Sequence, residues 1–343
     1  MVPRRVLVVR PGALGDVLLT LPALQALISA CGAQEIELLG NLAMTEWLVG
    51  RSVITGAESF DRRDLGALFL RDSPLPATLT EYLSRFDLIV NYASGPGQVL
   101  ALNLARASRG RILDLDARPT DWLTEHMSDY LHTPLLRLGV PTTRQAPEIN
   151  LLACDREAAA SWLSARAAMR REIIAIHPGS GSTGKNWPAE RFARLADHLQ
   201  RNRRAQVLLI GGPADHEAVD AVIKGMRSAP VLHINEPGLP LLAALMERCQ
   251  AFVGNDSGVS HLAAALRMPS VVLFGPTDPA VWAPRGSDVT ILKASLECSP
   301  CTAGQRRSCG ARRCLTGLSF DEVLRATSTA LQRGGTRQAG QAG

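Results

Sequence analysis

Residues 252–276, FVGNDSGVSHLAAALRMPSVVLFGP, constrain the fold more than any other stretch of the chain. An apolar run, a Gly-Asn-Asp-Ser-Gly turn, a short apolar-periodic helix and a second apolar run ending at Gly275-Pro276 spell one βαβ unit. Strands with no polar face fit the interior of a parallel sheet covered by helices on both sides. In such sheets ligands sit beyond the carboxyl ends of the strands. A helix opening at Ser257 or Gly258 would aim free N–H groups and a positive dipole end at an anion, and a phosphate suits that place. A plain cap by Asp256 or Ser257, with Gly258 keeping the turn tight, explains the same letters.

The rest of the chain repeats this alternation. Val6 to Val9 predicts a strand, followed by the turn Arg10-Pro-Gly-Ala-Leu-Gly-Asp16 and a helix from about Val17 to Ser29. Further strands are expected at Glu35–Leu39, Ala57–Phe60 and Phe86–Asn91, with helices at Glu46–Val49, Gly97–Ala107 and Glu125–Leu138. After a loop with two prolines at 141–147 and a helix near Arg156–Met169, the design starts again. Ile173–Ile176 leads into His177-Pro-Gly-Ser-Gly-Ser-Thr-Gly-Lys-Asn-Trp-Pro188 and a helix over Ala189–Gln200. Strands at Val207–Ile210 and Val231–Ile234 and helices at Asp215–Met226 and Leu239–Glu247 precede the organising stretch. The expected class is therefore α/β, with two doubly wound parallel sheets.

At 343 residues, two domains of ordinary size are affordable. A formal charge of +5 favours anionic partners weakly, and the absence of aromatic-plus-basic clusters argues against nucleic-acid binding. No apolar run approaches a membrane span and no signal-peptide core is apparent, so a cytoplasmic protein is expected, in which seven cysteines are thiols or metal ligands before they are a disulfide framework.

Candidate chemistry gathers at the turns. Gly12 and Gly15 let a ligand approach the backbone, and Asp16 is a candidate base at a helix start, although a carboxylate there also serves the dipole alone. The turn has neither the Rossmann G-x-G-x-x-G nor the Walker lysine. Ser180, Ser182, Thr183 and Lys185 offer hydroxyls and an ammonium for a diphosphate, or form a solvated polar loop. Glu217 fits a ribose contact or dipole compensation, and His261 a phosphate contact or a packed helix residue. Asp114-Leu-Asp116 imitates a metal-binding D-x-D but reads as a strand end. Cys298, Cys301, Cys309 and Cys314, spaced C-x₂-C-x₇-C-x₄-C, suit a structural zinc or iron, with unmetallated thiols or air-formed disulfides as the alternatives.

Four segments in this order, VLVVRPGALGDVLLTLPAL, IAIHPGSGSTGKNWPAERFARLADHL, VLLIGGPADHEAV and FVGNDSGVSHLAAALRMPSVVLFGPTDPAVWAP, resemble glycosyltransferase family nine, the ADP-heptose:lipopolysaccharide heptosyltransferases, from Val6 to about Leu324. The resemblance implies a GT-B architecture of two Rossmann-like domains facing across a cleft. It implies an acceptor domain at 1–165, a nucleotide-sugar domain at 166–318 and a helix at 319–333 crossing back to the first, while the Gly-, Gln- and Ala-rich composition of 334–343 reads as a disordered tail. It implies Asp16 as catalytic base and Lys185 as the diphosphate contact with Ser182 and Thr183 beside it. Glu217 then meets ribose, and Asp256, Ser257, Gly258 and His261 form the nucleotide and phosphate site. The implied reaction is inverting and needs no cofactor, with ADP-heptose as donor and a lipopolysaccharide-precursor glycolipid as acceptor, in the cytoplasm with peripheral contact at the inner face of the membrane. A GT-B enzyme of another donor, an epimerase, or a non-catalytic nucleotide-sugar-binding protein are the alternatives.

Overall fold

A computed structural model of the chain describes residues 3–95, 98–118, 120–121, 123–168, 172–228 and 231–341. The chain divides into two compact units, Met1–Asn150 and Leu151–Gly343. The first holds β1 (Arg5–Arg10), β2 (Glu35–Gly40), β3 (Gly56–Ser59), β4 (Leu88–Asn91) and β5 (Arg111–Asp114), all parallel, in the order β3-β2-β1-β4-β5. The second holds β6 (Ile173–His177), β7 (Gln206–Gly211), β8 (Leu232–Asn235), β9 (Ala251–Asn255), β10 (Ser270–Phe274) and β11 (Val289–Lys293). Its order is β11-β10-β9-β6-β7-β8, again all parallel.

Both orders reverse direction at one place, between β1 and β4 in the first unit and between β6 and β9 in the second. At such a switch point the connections leave in opposite directions and open a crevice at the strand ends. The central strands are apolar without alternation because helices cover both faces: β6, β9 and β10 are buried at every residue. The expected class, α/β with two Rossmann-like units, is the observed one. The strand β11 escaped the periodicity reading and β5 was read only through its end at Asp114, and both are edge strands with half-exposed residues that dilute the apolar signal.

Several boundaries move. The helix Ala153–Ser164, expected in the first domain, belongs to the second unit, where Arg156 grips Glu247 of the helix Leu239–Glu247 through Nε and Nη2 at 2.8 and 2.9 Å. The helix expected to cross back, Phe320–Gln341, buries Phe320, Val323, Ala330 and Leu331 in the second unit's own core. It continues to Gln341 through most of the stretch expected as a tail from 334, of which Ala342 and Gly343 lie outside the described residues. Gly97, the expected start of a helix, also lies outside them, and the helix runs Val99–Ala107. The helix after β1, Leu14–Cys31, is long and apolar enough by length and composition to cross a membrane, against the sequence expectation, although most of it is buried in the first unit.

Candidate functional site

At the first switch point, β1 ends in Arg10 and the helix Leu14–Cys31 begins after only three intervening residues, so the turn Pro11–Ala13 is short. Asp16, in the first turn of that helix, folds its carboxylate back over the turn. Its Oδ2 accepts the Ala13 N–H at 2.9 Å and its Oδ1 lies 3.3 Å from Arg10 Nη2. Gly12 makes this possible. Its φ is +154°, and a Cβ there would stand 2.8 Å from both Cβ and Oδ2 of Asp16. Gly15 is the second residue of the helix. The carboxylate remains 38% exposed, so two of its lone-pair sites are used and the rest face outward.

Arg10, which the sequence reading passed over, is almost wholly buried. Its Nε donates to the Asp16 carbonyl at 3.3 Å and to Thr20 Oγ1 at 3.1 Å, and its guanidinium stands 6.0 Å from the Tyr92 ring centre. Burial lowers its pKa from the ordinary value, and the Asp16 carboxylate pulls the other way. Asp114 and Asp116 do not converge on an open metal position. Asp114 accepts from Asn91 Nδ2 at 2.6 Å and from Ser94 Oγ, whereas Asp116 pairs with Arg118 at 2.9 Å.

At the second switch point the loop after β6 is tied to β9 and to the loop after β7. Trp187 N–H donates to Asn255 Oδ1 at 2.9 Å, and Asn255 Nδ2 returns to the Pro178 carbonyl at 2.8 Å. Lys185 Nζ lies 3.1 Å from Asp256 Oδ2, whose other contact is the Thr277 hydroxyl at 2.6 Å. Ser257 is the N-cap of the helix Gly258–Ala265 and makes no side-chain cap bond, while the N–H groups of Ser257, Gly258 and Val259 have no backbone acceptor among the described residues. A lysine ammonium therefore stands beside a helix N-terminus with free donors. Ser180 closes the loop through Ser182 carbonyl at 2.7 Å and Asn186 Oδ1 at 2.6 Å, leaving Ser182 and Thr183 exposed. His261 is buried within the helix.

A buried pair beneath this loop was missed in the sequence. His177, the last residue of β6, reaches Ser257 Oγ through Nδ1 at 3.2 Å and Asp215 Oδ2 through Nε2 at 3.0 Å. Asp215 also accepts the Gly212 N–H at 3.0 Å and the Gly181 N–H at 3.5 Å. Burial pushes its carboxyl up, but the His177 bond and charge and the two backbone donors hold it below the ordinary carboxylate value. A polar residue closing an otherwise apolar strand was the available signal. Glu217, two residues on, is exposed in the first turn of the helix His216–Gly225 and makes no side-chain hydrogen bond among the described residues. Arg312 adds a further tie, donating to the Thr183 carbonyl at 3.0 Å.

The cysteines expected to hold zinc or iron are not arranged as ligands. All four thiols are free, Cys298 and Cys309 are exposed and Cys314 is buried. Among the described residues no three His, Cys, Asp or Glu side chains form a group able to hold a metal ion. The spacing allowed a knuckle, but Cys314 sits on the short helix Arg313–Thr316 inside the fold while two of its partners stay at the surface. Burial raises the Cys301 and Cys314 thiols, and the neighbouring sulfurs raise them further.

The model of glycosyltransferase family 9 (heptosyltransferase) matches residues 106–310. Lipopolysaccharide heptosyltransferase 3 of Escherichia coli strain K12 is 34% identical over 128 residues, which are 34% of this chain and 37% of that protein. The alignment thus spans about a third of the curated relative's length. Among solved structures, the glycosyl transferase family 9 protein from Veillonella parvula DSM 2008 superposes with a TM-score of 0.78 at 24% identity, covering 96% of this chain and 98% of that one. The E. coli ADP-heptose lps heptosyltransferase II gives 0.74 at 20% identity, over 96% and 99%. These superpositions show a shared fold, that of GT-B heptosyltransferases.

Proposed function

The chain belongs to glycosyltransferase family 9, the heptosyltransferases, and from that premise we propose that it transfers a heptose from ADP-heptose to a lipopolysaccharide inner-core or related glycolipid acceptor, inverting the anomeric carbon. The names of its relatives support the donor and the acceptor class. The observation that carries the reading is Lys185, with its ammonium 3.1 Å from Asp256 beside a helix N-terminus whose first N–H groups lack backbone acceptors among the described residues. Such a place suits a diphosphate whose charge grows as a bond to it breaks.

In this mechanism Asp16 accepts the proton of an acceptor hydroxyl while that oxygen forms its bond to the anomeric carbon. The bond from that carbon to the diphosphate breaks on the opposite face, and its electron pair leaves with ADP. Lys185 turns from Asp256 to the departing diphosphate, Thr277 continues to hold Asp256, and the N–H groups of Ser257 and Gly258 share the new charge. Asp16 suits the role of base because Ala13 and Arg10 fix the carboxylate without covering it. Ser182, Thr183, Glu217 and His261 complete the donor contacts in this reading. The enzyme then works at the cytoplasmic face of the membrane that carries its glycolipid.

Calorimetry with ADP, ADP-heptose and a uridine sugar tests the donor, with Lys185→Ala beside the parent protein. Preferential ADP-heptose binding, weakened roughly tenfold or more in the variant, is expected for the loss of a charge-assisted contact. Tight binding of the uridine sugar instead would overturn the donor while leaving the family intact.

A further inference from the structure

Among the described residues, three of the four large apolar side chains that are at least half exposed share one corner of the first unit. They are Phe69 at 50%, Leu70 at 58% and Leu102 at 62%. The corner is held firmly. Leu68 is buried in the core, and the Asn103 amide, next to Leu102, donates to the carbonyls of both Leu68 and Leu70 at 3.0 Å. Exposed apolar side chains gathered on one corner by shared hydrogen bonds mark an interaction surface more often than scattered ones do.

The surrounding charge is mostly basic. Arg106 is fixed beside the patch by the Asn103 amide oxygen at 2.8 Å and the Ser73 carbonyl at 3.4 Å, neither of which neutralises it. Arg71, next to Leu70 in the chain, is exposed and makes no ion pair among the described residues. The exposed carboxylates nearby are Asp61 and Asp72, while Asp64 is taken by Arg62 at 2.7 Å. The patch also follows the carboxyl ends of β3 and β4, the edge of the sheet from which the Asp16 turn emerges.

We propose that this corner docks the protein reversibly on an anionic lipid surface, with Phe69, Leu70 and Leu102 entering the headgroup boundary and the guanidinium groups meeting lipid phosphates. Apolar side chains rimmed by unpaired arginines are complementary to that surface. A symmetric contact with a second copy would instead set the arginines of one corner against those of the other. The choice of lipid rests on the functional reading above, in which the acceptor is a glycolipid.

The test is co-sedimentation of the whole protein with phosphatidylglycerol-containing vesicles and with pure phosphatidylcholine vesicles, at low and high salt. Leu70→Glu/Leu102→Glu is compared, since both side chains are exposed and melting should be unchanged. Binding to the anionic vesicles that falls with salt, and falls roughly tenfold or more in the double variant, is expected. Equal binding by the variant, or no binding by the parent, overturns the proposal. So does a parent dimer that the variant dissolves without any vesicle binding. Vesicle binding is read without donor or acceptor, so a failure of heptose transfer leaves it standing. Conversely, transfer to a detergent-dispersed acceptor should persist in the double variant.

Discussion

The two switch points are built from the same sentence of sequence, strand then glycine turn then helix, and yet they hold their functional side chains in opposite ways. At the first, every contact of Asp16 is local: Ala13 is three residues away and Arg10 six. At the second, Lys185 finds Asp256 at a separation of 71 residues, His177 finds Ser257 at 80 and Asp215 at 38, and Arg312 finds Thr183 at 129. A carboxylate fixed by its own helix start forms as soon as that turn forms. A loop fixed by partners from three other connections exists only when the whole sheet is assembled. Function and stability should therefore separate at the first turn and be entangled at the second.

The largest expected effect breaks the comparison at the local turn. Asp16→Asn keeps a hydrogen-bonding side chain but removes the base, and turnover should fall by ~10²–10⁴-fold with little change in melting. Gly12→Ala should lower turnover as well, because the new Cβ meets the Asp16 carboxylate at 2.8 Å and displaces it, and at a φ of +154° it should also lower the melting temperature. Steady-state kinetics beside thermal melts read both, and a Gly12→Ala enzyme of normal turnover would mean that the folded-back carboxylate is dispensable. Next in size is Lys185→Ala, expected to lose ~10²-fold or more in turnover through the leaving group. An unchanged rate would remove Lys185 from the mechanism.

The third variant, Gly179→Ala, tests the entangled turn. Its Cβ would stand 1.8 Å from Asp215 Oδ1, so the buried carboxylate or the loop must shift. A loss of roughly 1–3 kcal/mol in denaturant unfolding is expected, together with weaker donor binding. Loss of binding without loss of stability would show the second turn to be as separable as the first.

The smallest effect is acid sensitivity. Burial raises the Asp197 carboxyl, but the Ser228 hydroxyl and the N–H groups of Arg227 and Ser228 bring it below its ordinary value, as His177 and the backbone donors do for Asp215. A carboxyl lowered by folding contributes stability above its unfolded pKa of about 4, and that contribution is lost as pH falls through the lower folded value. Melting temperature should drop below about pH 4. Asp197→Asn should start lower and show a flatter drop in that window, and a parallel pH profile in the variant would discount this carboxylate.

Much of the fold was legible because buried parallel strands are continuous apolar runs, as in β1, β6, β9 and β10. What was hidden was β11 and all but the end of β5, edge strands that mix polar with apolar residues, whereas the other two edge strands, β3 and β8, were legible. Of the site, Asp16, Lys185, Asp256 and Ser257 stood out because each occupies a glycine-rich turn. Arg10, His177 and Asp215 did not. Arg10 and His177 close strands whose interiors are apolar, and Asp215 resembles any N-terminal helix carboxylate until its partner is known. The cysteine spacing misled in the opposite direction, since ligand spacing says nothing about which thiol the fold buries.

By itself the sequence determined the alternation of strands and helices, the places of the turns and the position of Asp16 at a helix start just after Gly12 and Gly15. All of these follow from apolar periodicity, steric freedom at glycine and contacts within a helical turn. Only the tertiary structure decided the strand orders, and with them that β6 lies beside β9 so that His177, Ser257, Lys185 and Asp256 meet. Periodicity is a property of a strand and its own two faces. Neighbourhood within a sheet is set by how helices pack across it, which no local pattern encodes.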